Sequence, residues 1–182
     1  MDRRKSAEWG AKRMVWRKTD PNEWNASAFR VIGREWLLLV TEGERPNAMT
    51  ASWGGFGMLW NRPVVLLWVR PERYSYGLLT QNERFSVCVL PERYREAYRI
   101  CGSLSGRKTD KIARSGLTVQ RVNGVACIRE SRAVLLCRRQ YTQAMIPQGY
   151  AEPALLEEVR AKGNPHHLFI GEVEELLLAG EG

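Results

Sequence analysis

The sequence predicts a mainly β domain, a closed or partly closed β-barrel with short helices set between its strands. Three observations carry that reading. Apolar residues come in short runs bounded by Gly, Pro and charged clusters. The helical patterns between these runs are also short. No strand-like run is followed by G-x-G-x-x-G opening a helix, so a dinucleotide fold of the doubly wound type is unsupported.

The elements follow in order. Residues 36–40 form an apolar run between Arg34-Glu35 and Glu42-Gly43-Glu44, which suits a buried strand and its turn. Residues 47–53 form a second strand, ended by Gly54-Gly55. Residues 64–69 form a third, opened by Pro63 and closed by Pro71, and residues 85–90 a fourth, ended by Pro91. Helices are predicted over 71–81, over 92–100, where Tyr94, Ala97 and Tyr98 are at helical spacing, and over 105–114, stopped by Gly116. Strands resume near 117–122, 125–128 and 133–138. Residues 153–162 read as a helix with Glu early and Lys late, which complements the helix dipole. Residues 166–178 close the chain as a long strand or a strand pair. The arm over residues 1–25, ahead of the domain over 26–182, carries Trp9, Trp16 and Trp24, and with aromatics in such number part of it is expected to pack on something.

Composition narrows the function classes. The 182 residues are 44% hydrophobic and 26% charged, the make-up of one ordinary globular domain. The longest apolar run, Val64-Val65-Leu66-Leu67-Trp68-Val69, is far short of the roughly 18 residues of a spanning helix. No export signal is visible, so a cytoplasmic location is expected. The four cysteines, Cys88, Cys101, Cys127 and Cys137, include no C-x-x-C pair and read as small buried hydrophobes, although a lowered thiol pKa is conceivable for Cys101 in its basic stretch. The net charge of +8 is local: residues 1–34 carry +5, residues 92–114 carry +4, and residues 152–182 carry −5. A surface built to coat nucleic acid would be more uniformly basic.

Three segments and one histidine could bind a ligand. In Asn47-Ala48-Met49-Thr50-Ala51-Ser52-Trp53-Gly54-Gly55, small residues let a flat ligand approach the backbone, and Thr50 and Ser52 share a face from which hydroxyls can bond it. The competing reading is an ordinary strand rich in small residues. Arg70-Pro71-Glu72-Arg73-Tyr74-Ser75-Tyr76 joins a strand end to a helix start, where backbone N–H groups, Arg73 and Ser75 have the chemistry of a phosphate pocket. In Ser103-Leu104-Ser105-Gly106-Arg107-Lys108-Thr109-Asp110-Lys111, Ser105 fits an N-cap, Gly106 allows close approach, and Lys108 and Lys111 follow at helical spacing. His166-His167 opens the last strand, and alternation lets only one of the two face a given site.

These segments, with Phe169-Ile170-Gly171-Glu172-Val173, occur in the order found in the flavin reductase-like, FMN-binding split-barrel family, and the chain resembles its flavoredoxin-like branch over roughly residues 27–178. The resemblance implies a split β-barrel of Greek-key topology that forms a homodimer with FMN near the subunit interface. It implies that Asn47, Met49, Thr50, Ala51, Ser52 and Trp53 lie along the isoalloxazine and ribityl chain. Arg73, Tyr74, Ser75, Ser105, Gly106 and Lys111 would hold the phosphate end, and His166 would be the catalytic position beside the flavin. Pro165 stands where the family often has Asp, so a proton relay through that pair is not implied. The stretch over 139–164 is longer than in the shortest members and is expected to form a flap over the site.

The activity this implies is an oxidoreductase that takes hydride from NADH or NADPH and passes electrons to flavin, a ferric complex or a partner protein. A second reading is an FMN electron carrier reduced by another protein. A third, from the basic arm, is a module that binds nucleic acid or another polyanion. No membrane partner is expected.

Overall fold

In the computed structural model, which describes residues 15–180, every side chain of the strand β2 (Leu37–Thr41) is buried. Alternation explains how a strand can be apolar on both faces. Leu37 and Leu39 join one core with Met49, Ala51, Phe85, Val87, Leu135 and Phe169. Leu38 and Val40 join another with Ala48, Cys88, Tyr98, Cys101, Ile112, Val134 and Leu136. One core fills the barrel. The other lies between the outside of the sheet and a cover made of α3 (Arg95–Ser103), α4 (Lys111–Arg114) and the ribbon β7 (Val119–Val122) with β8 (Val125–Ile128).

The barrel strands are β3 (Asn47–Ala51), β4 (Gly54–Leu59), β5 (Arg62–Val69), β6 (Arg84–Val89), β9 (Ala133–Ala144) and β10 (His167–Ala179), with β2. Their order is β3-β2-β6-β9-β10-β5-β4, and every pair is antiparallel. The chain is therefore mainly β with an antiparallel barrel sheet. β3 and β4 end the order on opposite sides, although only Ser52 and Trp53 separate them in sequence. The split in the barrel lies there. β10 is long enough to pair with β5 over His167–Glu172 and with a strand of the arm, β1 (Trp16–Thr19), over its far end. Trp16 Nε1 donates to the Ser131 carbonyl at 2.8 Å, and the Trp24 ring lies 5.3 Å from Phe56. Trp9 lies outside the described residues.

Three local expectations change. Gly54-Gly55 opens a strand instead of ending one: β4 is held by backbone pairing to β5 through the two-residue turn Trp60-Asn61, both at positive φ (51° and 57°). The helix expected over 105–114 shrinks to Lys111–Arg114, because the Ser105 carbonyl closes a turn by accepting from the N–H groups of Lys108 and Thr109. Asp110, not Ser105, caps the helix, through the Ala113 N–H at 3.0 Å. Finally, α2 (Tyr74–Gln81) starts three residues after Pro71, with Arg73 as its N-cap. By contrast, α5 (Pro153–Ala161) and the single last strand match the sequence pattern. No helix among the described residues is long and apolar enough to cross a membrane.

Trp16 ties the arm to the barrel by one partly buried hydrogen bond. Replacing it with Phe keeps an aromatic side chain, smaller than the indole, and removes the donor, so stability should fall by about 1 kcal/mol or more. Urea denaturation with an unchanged m-value would check it, and a variant as stable as the parent would contradict the tie.

Candidate functional site

Two hollows open beside β3 and share Met49, Arg70 and Arg73. One, of about 320 Å³, is completed by Glu72, Tyr74, Ser103, Leu104, Ser105, Gly106, Arg107 and Lys111. The other, of about 250 Å³, is completed by Thr50, Ala51, Ser52, Trp53, Trp68, Val69 and His166. Through the shared residues they form one groove with a basic end and an aromatic end. Because β3 ends the strand order, one edge of its backbone is free to bond the edge of a flat ligand.

At the basic end four cations, Arg70, Arg73, Arg107 and Lys111, face one carboxylate, Glu72. Arg73 donates from Nη1 to the Gly102 carbonyl at 3.1 Å. Arg107 donates to the Glu72 carbonyl at 3.3 Å, with its guanidinium 5.3 Å from the centroid of the Tyr74 ring. Lys111 opens α4 and is only 5% exposed, yet its ammonium has one partner, the Cys101 carbonyl at 3.0 Å. Burial lowers its pKa to about 8, and Arg73 adds to the depression. A desolvated ammonium with donors to spare, set among guanidinium groups, suits an anion.

The turn that carries Ser105 sits unusually close to the strand. A Cβ at Gly106 would lie 2.1 Å from Asn47 Oδ1 and 2.8 Å from Tyr74 Cδ1, so only glycine fits. Asn47 in turn donates from Nδ2 to Ser75 Oγ at 2.8 Å, and both side chains are buried. Asn47 and Ser75 thus line neither hollow. They brace β3 against α2, and the 105–109 turn rests on that brace. Thr50 is likewise engaged, its hydroxyl donating to the Tyr98 carbonyl of α3 at 2.5 Å. It therefore does not present its hydroxyl beside Ser52, which lies beyond the strand end.

At the aromatic end the Trp53 ring is 55% exposed and lies 4.9 Å from the His166 ring, tilted 54°. His166 is 9% exposed and accepts at Nε2 from Arg70 Nε at 3.2 Å. Burial, then the neighbouring Arg70, holds its pKa below the ordinary histidine value. His167 faces the other way, its Nδ1 3.0 Å from the Tyr76 hydroxyl, as strand alternation requires. None of residues 145–162 lines either hollow; the expected flap meets the site where Lys162, Gly163 and Asn164 approach Arg70 and Glu72. Cys101 is buried, and burial raises its thiol pKa despite the opposing pull of Lys111, so it is not an activated thiol. The other three cysteines are also buried. Trp68 and Val69 line the groove outside any candidate segment, and Arg70 and Arg107, though inside the candidate segments, were given no role of their own. Arg70 had a signal: it follows β5 directly, and β5 pairs Val69 with His167, which brings Arg70 beside His166.

Lys111 makes stability depend on pH in a checkable direction. The unfolded chain keeps the lysine proton to about 10.5, whereas the folded chain releases it near 8. Between those values the unfolded state binds more protons, so the unliganded protein should gain stability as pH rises through that window. Lys111→Met should remove this gain and be more stable than the parent at pH 7; paired urea denaturation curves at pH 7 and 10 would check both.

The comparisons with known proteins agree with this architecture. A model of the family described as "Flavin reductase like domain" matches residues 30–182. No curated protein matches the sequence. Among solved structures, an FMN-binding domain of a flavin reductases-like enzyme from Shewanella baltica OS155 superposes with a TM-score of 0.66 at 17% identity, covering 92% of this chain and 78% of that one. A flavoredoxin from Methanosarcina acetivorans gives 0.63 at 22% identity, over 81% of this chain and 69% of that one. The styrene monooxygenase flavin reductase of Pseudomonas putida S12 gives 0.59 at 19% identity, over 78% and 77%. At these identities the structural likeness is one of fold. The family match, spanning all but the first 29 residues, makes the chain a member of the flavin reductase-like domain family.

Proposed function

We propose that the protein is an FMN-binding oxidoreductase that accepts hydride from NADH or NADPH and passes the electrons to free flavin or another acceptor. The observation that carries this reading is the single groove with a cationic end at Arg73, Arg107 and Lys111 and a flat end along β3, Trp53 and His166. The residues fit FMN on their own terms. Lys111 is a buried ammonium with only a carbonyl partner, and Gly106 keeps the turn beside it free of a side chain.

In this reading Arg73, Ser105 and Lys111 hold the phosphate, with Tyr74 and Gly106 shaping its seat. Met49, Thr50, Ala51, Ser52 and Trp53 border the ring system mainly through backbone, and Asn47 and Ser75 act from behind as a brace. Bound FMN supplies a two-electron acceptor that the protein's side chains lack. The protein's share is binding, orientation and exclusion of water, which is why no nucleophile–base constellation is needed. We further propose a homodimer with FMN near the interface, supported by the exposure of Trp53 at the groove mouth.

Mixing the protein with FMN should give a flavin spectrum that co-elutes with the protein on gel filtration, and a colourless protein would refute the proposal. Gly106→Ala should weaken FMN binding by tenfold or more, because the turn must retreat from Asn47. Affinity for FMN should also fall as pH rises above about 8, by at most tenfold per unit, as Lys111 loses its proton. One of the compared structures is a flavoredoxin, which favours as a second reading an electron carrier without its own nicotinamide site. Stopped-flow mixing with NADH and with NADPH separates the two: bleaching within seconds supports the reductase, and inertness to both supports the carrier.

A further inference from the structure

His166 is tied to the end of β5 by contacts that holding a flavin does not require. Arg70 donates from Nε to His166 Nε2 at 3.2 Å, and its Nη1 donates to the Lys162 carbonyl. The same Nη1 lies 3.8 Å from Glu72 Oε1, and Asn164 Nδ2 donates to Glu72 Oε2 at 3.5 Å. The Arg70 side chain is 18% exposed. Gly163, at φ 119°, passes so near that a Cβ there would lie 2.9 Å from Arg70 Nη1. The loop after α5 thus holds the guanidinium in place.

Arginine Nε–H can only donate, so the imidazole nitrogen it meets must offer a lone pair. A neutral ring with Nε2 so engaged carries its proton on Nδ1. Protonating Nε2 would set two N–H groups against each other beside a guanidinium. The charged groups around the ring are Arg70 and Arg73, which oppose a cation, and Glu72, which favours one; burial also opposes it. Trp53 covers another side, and Pro165, the preceding residue, has no side-chain acceptor.

We propose that Arg70 is a positioning residue that locks His166 as a neutral Nδ1–H donor at the aromatic end of the groove, so that His166 orients a bound acceptor without delivering a proton to it. Only the last clause rests on reading the groove as a redox site; the tautomer is a property of the chain itself.

The chain has only two histidines, which makes the test direct. Long-range ¹H–¹⁵N correlation spectra of the ¹⁵N-labelled protein, with and without FMN and from pH 5 to 8, should show His166 with Nδ1 protonated and Nε2 bare. It should titrate below the ordinary histidine value of about 6.5. Arg70→Met should move the proton to Nε2 and shift the titration midpoint upward. His167, held by Tyr76, is the internal control: its unmoved signals report an intact fold. A parent protein whose His166 carries its proton on Nε2, or titrates at or above about 6.5, overturns the proposal whether or not the variant folds. A protein that fails to bind FMN but shows the Nδ1–H ring refutes the flavin reading and leaves the Arg70 lock standing.

Discussion

Burial of the central strands on both faces is the constraint on which the molecule depends. β2, β6 and β9 each send alternate residues into the barrel and into the layer under α3, α4 and the β7–β8 ribbon. Such strands have no free face on which to build a site. Chemistry falls instead to β3, which ends the order, and to what lies beside it: Ser52-Trp53, the end of β5, His166 and the cationic loops. The groove lies along that split because backbone hydrogen-bonding groups remain unpaired there.

A small polar knot converts this position into a site. The Asn47–Ser75 hydrogen bond fixes β3 to α2, and Gly106 lets the 105–109 turn close over it. Arg73, Arg107 and Lys111 then converge from three separate segments without touching one another through bonds. Their mutual repulsion is held by backbone carbonyls, those of Gly102, Glu72 and Cys101. Carbonyl partners satisfy donors without neutralising charge, so the basic end keeps its field for an incoming anion.

Much of this was legible in the sequence. Short runs between Gly and Pro gave the barrel strands, and four ordered segments gave the family. The errors share a physical origin. Glycine weakens an isolated strand, so Gly54-Gly55 reads as a stop, but pairing with β5 outweighs that local preference. The 105–114 helix was overlong because Ser105 suits an N-cap, whereas its carbonyl closes a tight turn. Asn47 and Ser75 line neither hollow, because residue type and position alone do not tell a side chain that lines the groove from one that braces its wall. The place of Arg70 beside His166 depends on register across β5 and β10, which no local pattern encodes.

The pairing of β1 with the far end of β10 bears on how the domain can be cut. A fragment started at residue 30, where the family match begins, would lose Trp16–Thr19 and leave Leu176–Ala179 with one bare backbone edge. It would also uncover the ring of Phe56 on β4, now screened by Trp24. An unpaired strand edge near exposed aromatic surface is a template for association between copies. Residues 16–24 thus cover a strand edge and an aromatic face that the barrel would otherwise expose, whatever their charge.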